Sequence, residues 1–135
     1  MNADQILKAS QATLSGSLPF PEIIGLLLAN GVEYYQVDFS AKSFRFYSAN
    51  GSLVIAPLVF EDLPTVAQDF DATALKEAII ASQQQGQKFR VFCQRAMTAG
   101  VQSYIVFLRG QRVTYIGRQG DQHTEWFPGA KPADS

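Results

Sequence analysis

The sequence is poor in the residues that hold metals and disulfides. Among its 135 residues it has one cysteine, Cys93, and one histidine, His123. No intramolecular disulfide, zinc knuckle or His-rich metal site can be built from that stock. Charge of either sign is not in excess: 11 Lys and Arg stand against 12 Asp and Glu, for a net charge of −1. That balance argues against a generally basic nucleic-acid binder, and no nucleic-acid partner is expected. Long hydrophobic runs are missing too. The longest, Ile23–Ala29, falls far short of the roughly 20 residues of a membrane span. Met1–Leu14 lacks the basic start and apolar core of a secretory signal. The expectation is a soluble cytoplasmic protein with no membrane partner, metal or cofactor.

What is present is a globular composition, 47% apolar and 17% charged, in a chain long enough to bury a core without staples. Its most informative feature is a repeat. Shifted by 69 positions, Asn2–Leu58 lies over Asp71–Phe127 without a gap. Phe20 then meets Phe89, Gly31 meets Gly100, Tyr35 meets Tyr104, Val37 meets Val106 and Gly51 meets Gly120.

The structural roles match as well as the letters. Asn2 and Asp71 are good helix N-caps, each followed by apolar residues at helical spacing. Gly16 and Gly86 end these helices. A second helix places Phe20, Ile23, Ile24, Leu27 and Leu28 on one face, with Pro21 in its first turn. The other copy reads Phe89, Phe92, Cys93, Ala96 and Met97. Cys93 is thus a small core hydrophobe rather than a reactive thiol. Gly31 and Gly100 are left-handed stops before the strands Val32–Phe39 and Val101–Leu108.

Two-residue turns at Ala41-Lys42 and Gly110-Gln111 lead to the return strands Phe44–Ser48 and Val113–Gly117. Turns at Asn50-Gly51 and Gln119-Gly120 lead to third strands, Leu53–Ala56 and Gln122–Phe127. The reading is one α+β domain over residues 1–135. It is an internal duplication of a helix–helix–β-meander unit, giving an antiparallel sheet with helices packed on one face. A variant has each copy's helices covering the other copy. Repeat one spans 2–58, a connector 59–70, repeat two 71–127 and a frayed tail 128–135.

With Phe39 opposite Phe44, the face under the helices carries Tyr35, Val37, Phe39, Phe44 and Phe46, and in the second copy Tyr104, Val106, Leu108, Val113 and Tyr115. The other face carries Tyr34, Gln36, Asp38, Arg45 and Tyr47, against Ser103, Ile105, Phe107, Thr114 and Ile116. A two-residue second turn puts His123 and Glu125 there as well. Asp38 then opposes Arg45 in a cross-strand ion pair. This half-apolar outer face needs a cover, which makes it the place to look for function.

No motif for nucleophilic, metal or phosphate chemistry is present, so no catalytic residues are assigned and enzymatic activity stays an open question. His123 is a candidate general base oriented by Asp121 or Glu125, or else a structural histidine. Arg109, Arg112 and Arg118 gather on the second meander's turns.

Phe20-Pro21-Glu22, Gly31-Val32-Glu33, Tyr35-Gln36-Val37-Asp38 and the run Tyr115 to His123 resemble a family of small bacterial and prophage proteins known as YbcV-like or YdfO-like. Some of its members are labelled "phage envelope protein". The resemblance runs from about Asn2 to Pro128 and implies a duplicated α+β domain. It implies no activity and no site residues. Two functional expectations follow. The first is a non-enzymatic binding or protein-interaction module, forming a homodimer through the outer sheet face. The second is a small-molecule-binding protein or small enzyme, with a pocket between the repeats ringed by Tyr34, Asp38, Arg45, Tyr47 and His123.

Overall fold

Asn2 and Asp71 start the two copies in the same way. Each side chain accepts a hydrogen bond from a backbone N–H three residues on, Gln5 at 3.2 Å and Ala74 at 3.0 Å. In a computed structural model of the chain, residues 1–130 are described. They form α1 (Ala3–Ser15), α2 (Phe20–Ala29), β1 (Val32–Asp38), β2 (Ser43–Ser48), β3 (Leu53–Pro57), α3 (Ala72–Gln84), α4 (Phe89–Thr98), β4 (Val101–Phe107), β5 (Arg112–Gly117) and β6 (Gln122–Trp126). Of the expected tail, 131–135 lie outside the described residues; Ala130 N–H closes a turn on the Phe127 carbonyl at 2.9 Å.

The strands make one six-stranded antiparallel sheet in the order β3-β2-β1-β4-β5-β6. The repeats meet at β1 and β4, where Gln36 lies opposite Ile105. These two positions are equivalent in the repeat, so a pseudo-two-fold axis passes between them. The ladder obeys it: Tyr35 pairs with Val106 and Val37 with Tyr104. A bulge recurs at both Val32/Tyr34 and Val101/Ser103. The expected fold class stands: two helix–helix–meander units, one sheet, helices on one face.

The faces follow from side-chain alternation. Tyr35, Val37, Phe39, Phe44, Phe46, Tyr104, Val106, Leu108, Val113 and Tyr115 are buried under the helices, as expected. α2 packs on β1, α4 on β4, and α1 lies against β3 and α4. Cys93 is fully buried in the same core. Burying a side chain such as Phe44 or Val106 contributes about 1.5–3 kcal/mol. α2 buries less than its pattern suggests: Ile23 and Leu27 are in the core, while Phe20 and Leu28 are 41% and 45% exposed.

The turns differ from expectation. The first hairpin of each copy closes with four residues rather than two, because Val37 and not Phe39 lies opposite Phe44. The reason is the seam. Phe39 N–H donates to the Gln102 carbonyl at 3.0 Å, and Leu108 N–H to that of Glu33 at 3.1 Å. Both residues are thereby held by the other copy instead of their own hairpin. Lys42 (φ 52°) and Gln111 (φ 55°) supply the left-handed residue of each loop, while Gly110 does not.

The second hairpins close with three residues. Ser48 N–H donates to the Ser52 carbonyl, and Gly117 N–H to that of Asp121. Gly51 (φ 88°) and Gly120 (φ 87°) are the left-handed third residue. An odd loop flips the following strand. Tyr115 lies opposite His123 and Val113 opposite Glu125, so His123 and Glu125 sit on the helix side of the sheet, not the outer side.

The connector is clasped by repeat two. Ala67 and Asp71 N–H groups donate to the carbonyls of Met97 and Ala99. A Cβ built on Gly100 would stand 2.3 Å from the Asp69 carbonyl oxygen, so that approach requires glycine.

Candidate functional site

The expected site residues do not come together. Tyr34, Asp38, Arg45 and Tyr47 share the outer face on β1 and β2, and His123 lies on the opposite face of the sheet. Arg45 pairs with Gln36 and Ile55, and Asp38 with Ser43. The expected Asp38–Arg45 pair is therefore not formed; the four-residue loop slides the two apart. Asp38 instead accepts from the Ala41 N–H at 2.8 Å and from Gln102 Nε2 at 2.9 Å. It closes its own loop and ties the repeats together. Tyr34 stacks on Tyr47 at 4.7 Å and on Phe107 at 6.2 Å.

The arginines of the second meander are engaged separately. Arg112 lies over the Trp126 ring at 4.3 Å. Arg118 donates to the connector carbonyl of Val66 at 3.1 Å. Arg109 and Arg112 rim a shallow depression on the outer face with Tyr34 and Phe107.

The concave feature between the repeats lies on the other side. The α1–α2 turn and the α3–α4 turn face each other over the middle of the sheet. Between them is a cleft of about 570 Å3, within the range of small-molecule sites. Its walls are Phe20, Phe89, Phe92 and Phe127, and its floor is Tyr35, Tyr104, Val106 and Tyr115. Phe20 meets Phe127 edge-on at 5.5 Å, and Phe92 meets Tyr104 edge-on at 6.1 Å.

Sheet register places the floor residues. Tyr35 and Tyr104 are equivalents, carried to either side of the pseudo-two-fold axis by their diagonal positions on β1 and β4. Tyr115 lies directly opposite Tyr104, with ring centres 5.4 Å apart, and His123 follows on the next strand. The three phenols are 5–6% exposed. Buried tyrosines ordinarily find a partner for the hydroxyl. Among the described residues none of these hydroxyls has one, and the oxygens are not sealed off: the sealed, unpartnered side-chain oxygen is Ser43 Oγ. All three phenols line the cleft.

Burial pushes all three phenols well above the usual tyrosine range. For Tyr104 the neighbouring Tyr35 adds to the effect, and for Tyr115 Tyr35 and then Glu125 do. They stay protonated and present O–H donors. Glu125 lines the same cleft, and its Oε1 is 2.7 Å from His123 Nε2. That pair has a structural reading as well, since an inward-pointing charge protects an edge strand from pairing with another chain. Burial also raises the Cys93 thiol, ahead of the smaller lowering effect of a backbone hydrogen bond. It is a core side chain and not a nucleophile.

Side-chain alternation in the sequence places Tyr35, Tyr104 and Tyr115 on the helix side, and the expected site omits all three. The signal was available: a phenol under a helix carries an oxygen that needs a partner, and Tyr115 stands where the first copy has Phe46. The inner face of repeat two is the more polar, with Tyr115, His123 and Glu125 where repeat one has Phe46, Val54 and Ala56.

Residues 59–124 match a family model described as "Protein of unknown function (DUF1398)". The match takes in the connector and most of repeat two, and thus the segment that packs on Gly100 together with Tyr104, Tyr115 and His123. No curated protein matches the chain. Among the described residues, no helix is long and apolar enough to cross a membrane, and no group of three His, Cys, Asp or Glu side chains is placed to hold a metal ion.

Proposed function

We propose that the chain is a non-enzymatic binding module whose ligand is a small, largely apolar molecule held in the cleft between the repeats. One observation carries this reading: three buried phenols with no hydrogen-bond partner among the described residues line an aromatic-walled cleft of about 570 Å3. The cleft offers rings and neutral O–H groups. Its phenols are held protonated and the nearby thiol is buried and unreactive, so the chemistry is that of holding a ligand rather than transforming one. A cytoplasmic setting and kinship with the YbcV-like proteins belong to the same proposal, and the buried, unpaired Cys93 suits a reducing compartment.

The test is a backbone amide NMR titration with 2-ethylnaphthalene. Shifts centred on Tyr35, Phe89, Phe92, Tyr104 and Tyr115 support the reading. No shifts, or shifts confined to the outer face at Tyr47, Leu53 and Ile55, sink it.

A second reading concerns the open sheet face, where Leu53 and Ile55 are 46% and 59% exposed beside the stacked Tyr34 and Tyr47. Six strands about 4.8 Å apart, each rising about 3.3 Å per residue, give a face of about 24 by 20 Å. Two copies packed face to face would bury on the order of 1,000 Å2, the lower bound for a specific interface. The proposal is a homodimer through this face. Sedimentation equilibrium decides it: a dimer mass abolished by Ile55→Asp supports it, and a monomer at 100 μM (roughly a hundred times a μM-range Kd) removes it.

A further inference from the structure

We infer that the ligand of this cleft is a neutral, flat ring system bearing one carbonyl-type oxygen, and that the donors that receive this oxygen are drawn from Tyr35, Tyr104 and Tyr115. The inference rests on the binding reading above and deepens it. The flat body follows from the walls. Phe20 and Phe89 open α2 and α4, Phe92 lies one turn further along α4, and Phe127 follows β6. Rings so placed favour offset or edge-on contact with another ring.

The oxygen follows from the floor. A phenol donates as well as accepts, and burial keeps these three in the donating form. Tyr104 and Tyr115 are cross-strand neighbours, and Tyr35 lies diagonally from Tyr104 across the seam. Any two of these three donors on one patch of floor match the two lone pairs of a carbonyl-type oxygen. A purely apolar ligand would leave those hydroxyls without an acceptor, a cost that a ligand bearing one well-placed oxygen avoids.

Neutrality follows from the charges that line the cleft, Lys88 and Glu125. Lys88 sits on the α3–α4 turn beside Gly16. Glu125 is the charge felt by Tyr115. A carboxylate head placed among the phenols would be desolvated and would face that carboxylate, two costs that a ketone or amide oxygen avoids.

Three matched probes test this on the full chain: 2-acetylnaphthalene, 2-ethylnaphthalene and 2-naphthoate, titrated by NMR. The acetyl probe is expected to bind at least about fivefold more tightly than the ethyl probe, the equivalent of one net hydrogen bond, and the naphthoate more weakly than either. Tyr104→Phe is expected to reduce the ratio of acetyl to ethyl affinity to below about twofold, with Tyr35→Phe as an independent second variant. Equal affinity of the two neutral probes overturns this inference and leaves the binding reading standing. Tightest binding of naphthoate overturns it in favour of an anionic head. An unchanged preference in both tyrosine variants overturns the donor assignment. Failure of 2-ethylnaphthalene to bind at all removes the cleft reading itself.

Discussion

Gln102 donates a 2.9 Å hydrogen bond to Asp38 across the seam between the two repeats. The bond has no twin on the other side of the pseudo-two-fold axis, because the equivalents of Asp38 and Gln102 are Phe107 and Glu33. Asp38 also accepts the Ala41 N–H, so one carboxylate both shapes a hairpin loop and joins the copies. This gives Asp38 a structural employment that its sequence neighbours Tyr34 and Tyr47 do not share.

Asp38→Ala should therefore cost about 1–3 kcal/mol, as removal of hydrogen bonds to a charged acceptor does. Arg45→Ala should stay within about 0.5 kcal/mol, the usual range for a surface position without a paired charge. Urea denaturation of the two variants compares them directly. A neutral Asp38→Ala would remove the seam role.

Gly100 and Gly120 both have positive φ, 93° and 87°, yet their surroundings differ. Gly120 has open space where a Cβ would go, whereas at Gly100 the Asp69 carbonyl stands 2.3 Å away. Gly120→Ala should lose about 1–2 kcal/mol, the left-handed penalty alone. Gly100→Ala should lose more than about 3 kcal/mol, since the connector must also move. Equal losses in denaturant titrations would mean that the connector is not held at Gly100.

Lys42 and Gln111 hold left-handed conformations without being glycine, at φ 52° and 55°. Replacing either by Gly relieves that strain and gives back part of the gain as unfolded-chain entropy. Each change should stabilise the protein by about 0.5–1 kcal/mol. The loops are distant, so the double variant should show the sum. Thermal melts of the three proteins check this.

The buried Cys93 thiol and the three buried phenols all have raised pKa values in the folded state. A raised folded pKa favours the protonated form, so its contribution is complete below the unfolded pKa and is lost as pH rises above it. Stability should hold level through pH 8 as far as these groups are concerned. It should begin to fall above about pH 8.5 for the thiol and about pH 10 for the phenols. Cys93→Ala should delay the onset to the phenol range. Native protein should also resist thiol reagents at pH 8, a point that a DTNB assay with and without denaturant reads.

Much of the fold was legible because the 69-residue offset lets each half vouch for the other. Asn2 and Asp71, Gly31 and Gly100, and the alternation of Tyr35, Val37 and Phe39 all carry local signals that the structure bears out. Loop length was not legible. Exchanging a two-residue loop for four moves the register of β1 and β2 by two residues, which keeps every side chain on its face but separates Asp38 from Arg45. Exchanging two for three in the next hairpin moves it by one, and His123 changes sides. The long-range bonds of Phe39 and Leu108 decide the first case, and those are invisible in either hairpin alone. The cleft was illegible for a related reason. It lies where two helix turns 69 residues apart come to face each other, and no local pattern reports that distance.

The seam has a consequence for ancestry. An antiparallel ladder built on a two-fold axis is complementary to itself, so β1 could meet a second β1 in the register in which it now meets β4. A half-length precursor would then have existed as a pair of chains, with its cleft shared between two identical subunits and necessarily symmetric. Joined in one chain through 59–70, the two halves are free to differ. Tyr35 and Tyr104 are the symmetric part of the floor. Tyr115, His123 and Glu125 are the one-sided part, an asymmetry that two identical subunits could not present.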